Sequence, residues 1–124
     1  MATRAAFSFK DFPGVPVRHL YLYHVGYPTG AAWRFAESKR ESSDPASLLV
    51  TFLRSQPRAA QIENSEETAD AEYRYRVQLL PGPDPQLLVQ AWRRLPASSS
   101  WHPRCGPMEL AVFVRRFLSG GLPD

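Results

Sequence analysis

The sequence contains a single cysteine, Cys105, among its 124 residues. One cysteine excludes an internal disulfide and is typical of proteins from a reducing compartment. The amino-terminal stretch lacks an apolar core of signal-peptide length, and no run approaches the roughly 18 apolar residues that a membrane span requires. We therefore expect a cytoplasmic protein that has no membrane partner.

The motifs of common enzyme classes are also missing. The sequence has no Walker loop, no GxGxxG fingerprint, no HExxH zinc motif and no GxSxG nucleophile elbow. Its acidic residues are concentrated in the stretch ENSEETADAE, where nothing desolvates a carboxylate for acid–base catalysis. The sequence favours a binding domain over an enzyme, and it predicts no catalytic residue, no cofactor and no metal.

Charge and composition narrow the class of protein further. The formal net charge is +3, and basic residues are in excess on both sides of an acidic segment, residues 41–72. A basic surface suits an anionic partner such as nucleic acid, although a solvated face is the simpler interpretation. The length and the 44% apolar content predict one folded domain over residues 1–124.

Hydrophobic periodicity predicts a sheet. Val17–His24 is rich in aromatic and branched residues, which is typical of a central strand, and residues 5–9 fit a short opening strand. Glu72–Leu80 alternates between apolar and polar residues, so one side of that strand faces solvent. Gln86–Arg93, which follows the turn PGPDP, fits either a strand or a helix.

Three helices are expected, near Ala31, Asp44 and Pro107. Asp44 is a predicted N-cap that is followed by proline, and Pro107 stands at the predicted start of the last helix, after a loop at 96–106. Each helix has one apolar stripe. The prediction is an α+β fold, with a mainly antiparallel sheet of three to four strands and a single layer of about three helices.

The stretch from Tyr21 to Phe35 predicts a strand-to-helix corner. Gly26 and Gly30 are expected to take positive φ, and Pro28 is expected to push Tyr27 into extended geometry. The imidazole of His24 is predicted to be a structural hydrogen-bonding partner rather than a metal ligand.

Four segments along the chain carry a resemblance to a known family. They are YHVGYPTG, DPASLLVTFL, DAEYRYRV and GPMELAVFV. In this order they resemble a family of small uncharacterised bacterial and phage proteins with the signature Tyr-x-His-x-Asp-Gly-Tyr-Pro-x-Gly. The resemblance implies an α+β fold and favours a strand at Gln86–Arg93. Two departures, Val25 at the position of the aspartate and Tyr23 directly before His24, weaken any metal or acid–base site at the corner.

His102 and Cys105 form the clearest cluster with metal or nucleophile chemistry. Their spacing would suit half of a zinc site, with His19 or His24 as further ligands. Alternatively, a helix starting at Pro107 would lower the thiol pKa of Cys105 beside His102. The simpler alternative is that His102 is an ordinary loop residue and that Cys105 packs in the interior.

Arginines on the predicted sheet suggest a nucleic-acid surface. Arg74 and Arg76 face outward on one strand, and Arg93 and Arg94 on the next strand extend the stripe. On such a face, exposed tyrosines or tryptophans would stack on bases. The simpler alternative is that Tyr73 and Tyr75 point inward and leave the arginines without interleaved aromatic residues.

Aromatic residues at the corner suggest a protein contact instead. Tyr27, Trp33 and Arg34 lie at the corner and Trp101 and His102 lie in a loop, and Trp, Tyr and Arg dominate interface hot spots. A core position is the expectation for Trp33. The favoured function is a binding domain with a protein partner, followed by nucleic-acid binding and then by an enzyme or metal protein that uses Cys105 and His102. The oligomeric state stays open.

Overall fold

The computed structural model describes residues 4–14, 16–22, 27–56, 60–62, 71–94 and 100–119. The strands are Ala5–Lys10 (β1), Arg18–Leu22 (β2), Ala60–Ile62 (β3), Tyr73–Leu80 (β4), Gln86–Arg93 (β5) and His102–Glu109 (β6). The helices are Pro28–Glu41 (α1), Leu48–Ser55 (α2) and Leu110–Ser119 (α3), and a 3-10 turn at Pro45–Ser47 precedes α2.

The strands form one mixed sheet in the order β3-β2-β1-β4-β5-β6. Every neighbouring pair is antiparallel except β1 and β4. The predicted α+β class with a mainly antiparallel sheet is confirmed, but the sheet is wider than three to four strands. Within the described ranges, it has five strands of at least five residues and the three-residue edge strand β3. The predicted central strand lies second from this edge, as β2.

The core lies between the sheet and a single layer of helices. Phe7 on β1 is completely buried, and its ring contacts Phe35 of α1, Phe52 of α2 and Tyr75 of β4 at centroid distances of 5.8, 5.3 and 5.0 Å. Phe113 of α3 joins the same cluster. Burying each such side chain stabilises the fold by about 1.5–3 kcal/mol, so these rings fix all three helices on one face of the sheet.

The predicted hairpin of β4 and β5 is confirmed. Side chains on β4 alternate between buried and more exposed, with Tyr73, Tyr75, Val77 and Leu79 inward. Leu80 pairs with Gln86 across the turn, so Gln86–Arg93 is a strand. Gly82 in this turn has a φ of +146°, a backbone conformation that other residues rarely adopt.

The corner differs from its prediction in two respects. The helix α1 begins at Pro28 instead of near Ala31, because proline at the first helical position loses no intrahelical hydrogen bond. Tyr27 is the N-cap and has the extended backbone that was predicted. Gly30 lies within α1, so the prediction of a positive φ there is wrong. Gly26 and His24 lie outside the described residues.

The prediction for the segment before α3 is also wrong. His102–Glu109 is a strand, whereas the sequence predicted a loop followed by a helix from Pro107. Both Pro103 and Pro107 are compatible with β6 because it lies at the edge of the sheet, where an N–H that faces away from β5 takes part in no ladder bond. The helix α3 begins at Leu110.

The start of α2 follows its prediction closely. The Asp44 side chain accepts a hydrogen bond from the backbone N–H of Ser47, and the Ser47 hydroxyl closes a reciprocal capping box. Leu48, Leu49 and Phe52 are buried as the apolar stripe required. Among the described residues, no helix has the length and apolar character needed to cross a membrane.

Candidate functional site

The sheet face opposite the helices, here called the open face, carries a concentration of basic side chains. Strand alternation turns Arg74 and Arg76 of β4 away from the core. The register places Ser8 beside Arg76 and Trp92 opposite Arg74, so these residues share the open face. All three helices pack on the other side.

Arginine and tryptophan alternate across this face. The guanidinium carbon of Arg74 lies 4.5 Å from the ring centroid of Trp92 and 5.3 Å from that of Trp101. Arg76 lies 5.3 Å from the Trp92 ring, and Arg94 lies 4.5 Å from the Trp101 ring. These five residues form a continuous arginine–tryptophan ladder, in the order Arg76, Trp92, Arg74, Trp101 and Arg94.

A small cavity adjoins the ladder. It has a volume of about 130 Å³ and is lined by Ser8, Lys10, Val17, His19, Arg74 and Arg76. The hydroxyl oxygen of Ser8 lies 2.7 Å from Nδ1 of His19, which fixes the orientation of that imidazole. None of the described residues that line this basic cavity is acidic. The cavity therefore favours a small anion.

The structure corrects the predicted arginine stripe at two points. The simpler alternative, in which the arginines lack interleaved aromatic residues, is wrong, because Trp92 and Trp101 lie among them. Arg94 belongs to the ladder, as predicted, but Arg93 does not. Arg93 points to the helix side, where its guanidinium forms an ion pair with Glu72 at 2.9 Å and lies over the Tyr73 ring.

A second candidate site lies at the start of α1. Here a cleft of about 720 Å³ opens between α1, α3 and the ends of β4 and β6. Its lining residues are Tyr27, Pro28, Thr29, Gly30, Trp33, Arg34, Tyr73, Arg104, Phe117 and Leu118. The Tyr27 and Tyr73 rings meet edge to face at 6.1 Å. We call this the aromatic cleft.

The predicted corner residues meet in this cleft. Tyr27 and Trp33 are each 51% exposed, so the expectation that Trp33 belongs to the core is wrong. Arg34 donates a hydrogen bond to Oε1 of Gln56, and desolvation by burial lowers the pKa of its guanidinium, while Glu37 opposes that effect. Trp101, which was grouped with the corner, lies on the open face instead.

His102 and Cys105 are not brought together as a reactive pair. Both lie on β6, where His102 is exposed opposite Arg93 and Cys105 is buried opposite Ala91. Burial raises the pKa of the Cys105 thiol, which is the reverse of the predicted activation, because no helix begins at Pro107. The alternative in which Cys105 packs in the core is confirmed. No group of three metal-ligating side chains occurs among the described residues.

Several residues of the two candidate sites were not predicted from the sequence. Trp92 could have been found, since the predicted hairpin pairs Leu80 with Gln86 and therefore Arg74 with Trp92. Lys10 reaches the basic cavity because β1 pairs in parallel with β4, which no local pattern indicates. Arg104 joins the aromatic cleft through the bulged strand β6, and a bulge of this kind has no clear sequence signal.

No protein-family model, curated protein or solved structure matches this chain. Membership of the bacterial and phage family therefore stays a prediction that depends on its four motifs.

Proposed function

We propose that this chain is a non-enzymatic binding domain whose open face binds the phosphate backbone of single-stranded nucleic acid. The observation that carries the proposal is the position of Arg74 between the rings of Trp92 and Trp101. The sequence favoured a protein partner because catalytic motifs are missing, the net charge is modest, and aromatic residues and an arginine lie together at the corner. With the ladder in place, nucleic acid becomes the better supported partner for this surface.

Stacking on indole rings prepares the guanidiniums for phosphate binding. A free arginine side chain loses about 2 kcal/mol of rotamer entropy when it is fixed, and a partner ring removes part of that loss before the ligand arrives. Guanidinium planes and indole rings also stack on unpaired bases, which a duplex does not offer. The ladder therefore favours a single strand over a duplex.

The basic cavity provides a place for one phosphate group. Its volume of about 130 Å³ exceeds the roughly 10–15 Å³ that one water molecule needs, so a group larger than water can enter. Lys10 and His19 approach it from β1 and β2, and Arg74 and Arg76 approach it from β4. We infer that one phosphate occupies this cavity while the neighbouring nucleotides run along the ladder.

Binding of a fluorescein-labelled thymidine oligonucleotide, followed by fluorescence anisotropy, tests the proposal. We expect the logarithm of the binding constant to fall with the logarithm of salt concentration with a slope of about −2, for three phosphate contacts to a single strand. The double variant Arg74→Gln with Arg76→Gln should bind at least about tenfold more weakly and show a shallower slope.

A charge-matched control separates the site from the overall charge. Arg40→Gln with Arg54→Gln removes two exposed arginines from the helix layer and should leave the affinity nearly unchanged. Equal losses in the two double variants, or no binding at low salt, would contradict the proposal.

The remaining parts of the proposal concern origin and setting. We propose a bacterial or phage protein of the cytoplasm, supported by the order of the four family motifs and by the single cysteine.

A protein partner, which the sequence predicted, is the second candidate function and would bind at the aromatic cleft. The observation that favours it is the exposure of Tyr27 and Trp33, since such residues are enriched at interface hot spots.

A further inference from the structure

We infer that the aromatic cleft binds the carboxyl-terminal residue of a partner protein, with an apolar side chain inside the cleft and the terminal carboxylate at Arg104. This inference deepens the second candidate function, the protein partner, and it is independent of nucleic-acid binding on the open face. It depends on the size, the lining and the charge of the cleft.

The cleft has room for a large apolar side chain and for part of the chain that carries it. The cleft volume of about 720 Å³ lies within the range of about 300–1,000 Å³ that is typical of small ligand sites. The ten described residues that line it are far fewer than the 20–30 residues that each side of a standard protein interface contributes. Phe117 and Leu118 of α3 provide the wall opposite Tyr27 and Trp33 of α1.

The charge of the lining selects an anion. Arg34 and Arg104 line the cleft, and none of its described lining residues is acidic. Arg34 is already held by Gln56. Arg104 is exposed on β6 and has neither a hydrogen bond nor an ion pair with any described residue. Its guanidinium can therefore donate hydrogen bonds to a carboxylate, which the planar fork of N–H donors matches well.

The exposed rim favours a chain end over a free small molecule. Tyr27 and Trp33 are only half buried, so one side of the cleft is open to solvent. A ligand whose apolar end is inserted can continue outward over these two rings. The carboxyl-terminal residue of a peptide combines all three requirements, since it has an apolar side chain, a carboxylate and a chain that leaves the site.

The test uses the side chain of Trp33 as a reporter. The chain has three tryptophans, and of these only Trp33 lines the cleft. We propose to titrate the ¹⁵N-labelled protein with the tripeptide acetyl-glycyl-alanyl-phenylalanine and to follow the three indole N–H signals by NMR. The expected result is a saturable shift of the Trp33 signal, while the Trp92 and Trp101 signals stay in place.

Two comparisons test recognition of the carboxylate. The carboxyl-terminal amide of the same tripeptide should bind at least about tenfold more weakly than the free acid. The free acid should in turn bind at least about tenfold more weakly to Arg104→Gln than to the wild type. Arg54→Gln, an exposed arginine on α2, is the matched control and should bind like the wild type. Because Arg104 is exposed, its replacement should leave the thermal midpoint unchanged, which separates loss of binding from loss of folding.

Several outcomes would overturn the inference. They are equal binding of acid and amide, an unaltered affinity of Arg104→Gln, and the absence of any Trp33 shift. Phenylpropanoate tests whether a free organic acid is the ligand. If this compound binds as tightly as the tripeptide, the ligand is a small molecule and the inference of a peptide ligand is wrong. The variant Arg74→Gln with Arg76→Gln should bind the tripeptide normally, so failure of the nucleic-acid proposal is distinguishable from failure here.

Discussion

The guanidinium carbon of Arg74 lies 4.5 Å from the ring centroid of Trp92, and the two residues face each other across the β4–β5 hairpin. A cation–π contact of this kind contributes about 0.5–1 kcal/mol at an exposed site and about 2 kcal/mol when desolvated. We predict a coupling of about 0.5–1 kcal/mol between Arg74→Ala and Trp92→Ala in a double-mutant cycle. The quantity to measure is the free energy of unfolding in urea.

A second cycle on the same face provides the control. The structure places no contact between the Arg76 side chain and the Trp101 ring among the described residues, although both belong to the ladder. Their coupling should stay within about 0.5 kcal/mol of zero. If the cycle of Arg74 and Trp92 is equally small, the stacked arrangement does not persist in solution.

The aromatic core predicts a large effect at Phe7. Its buried ring contacts Phe35, Phe52 and Tyr75, so Phe7→Ala removes contacts to two helices and a strand at once. We expect a loss of about 3–5 kcal/mol in the free energy of unfolding, measured by urea denaturation. Val50→Ala on α2 is the control, because Val50 is 51% exposed and its truncation should change stability by no more than about 0.5 kcal/mol.

The β4–β5 turn predicts a backbone effect at Gly82. With a φ of +146°, this residue has a conformation that is strained for alanine even though no atom lies within 4 Å of an added Cβ. Gly82→Ala should lower the free energy of unfolding by about 1 kcal/mol or more. Gly106→Ala meets equally open space without a positive φ, so it should be neutral or slightly stabilising. Equal stability of the two variants would show that the turn relaxes.

The buried thiol of Cys105 predicts a pH dependence of known sign. Desolvation raises its pKa in the folded state, so the folded protein favours the neutral thiol. The stability that this provides is fully present below the pKa of the unfolded thiol, and it is lost as the pH rises through the higher folded pKa. Alkylation by iodoacetamide should therefore have its pH midpoint higher in the native protein than in the urea-unfolded chain. A lower native midpoint would indicate an activated thiol.

The features that the sequence predicted correctly are those with local causes. The alternation in Tyr73–Leu80, the turn before Gln86 and the cap at Asp44 each depend on residues within a few positions. The prediction failed for His102–Glu109, where two prolines concealed an edge strand. Proline removes a backbone donor wherever it stands, but its effect on a strand depends on which edge faces solvent.

The candidate sites were only partly predicted, because some of their contacts have local causes and others are long-range. Arg74 and Arg76 followed from strand alternation, whereas the parallel pairing that brings Lys10 to the basic cavity is a long-range event. The approach of α3 to α1 adds Phe117 to the aromatic cleft and leaves Trp33 exposed. Local sequence patterns do not predict how two helices that are distant in sequence pack against each other.

The most direct measurement for the open face is an NMR titration of the ¹⁵N-labelled protein with a single-stranded thymidine oligonucleotide. The indole N–H signals of the three tryptophans report on both surfaces at once, since Trp92 and Trp101 belong to the ladder and Trp33 lies in the aromatic cleft. Binding at the ladder predicts that the Trp92 and Trp101 signals shift together and saturate while the Trp33 signal stays in place. A shift confined to Trp33, or no shift of any of the three, would contradict nucleic-acid binding by this face.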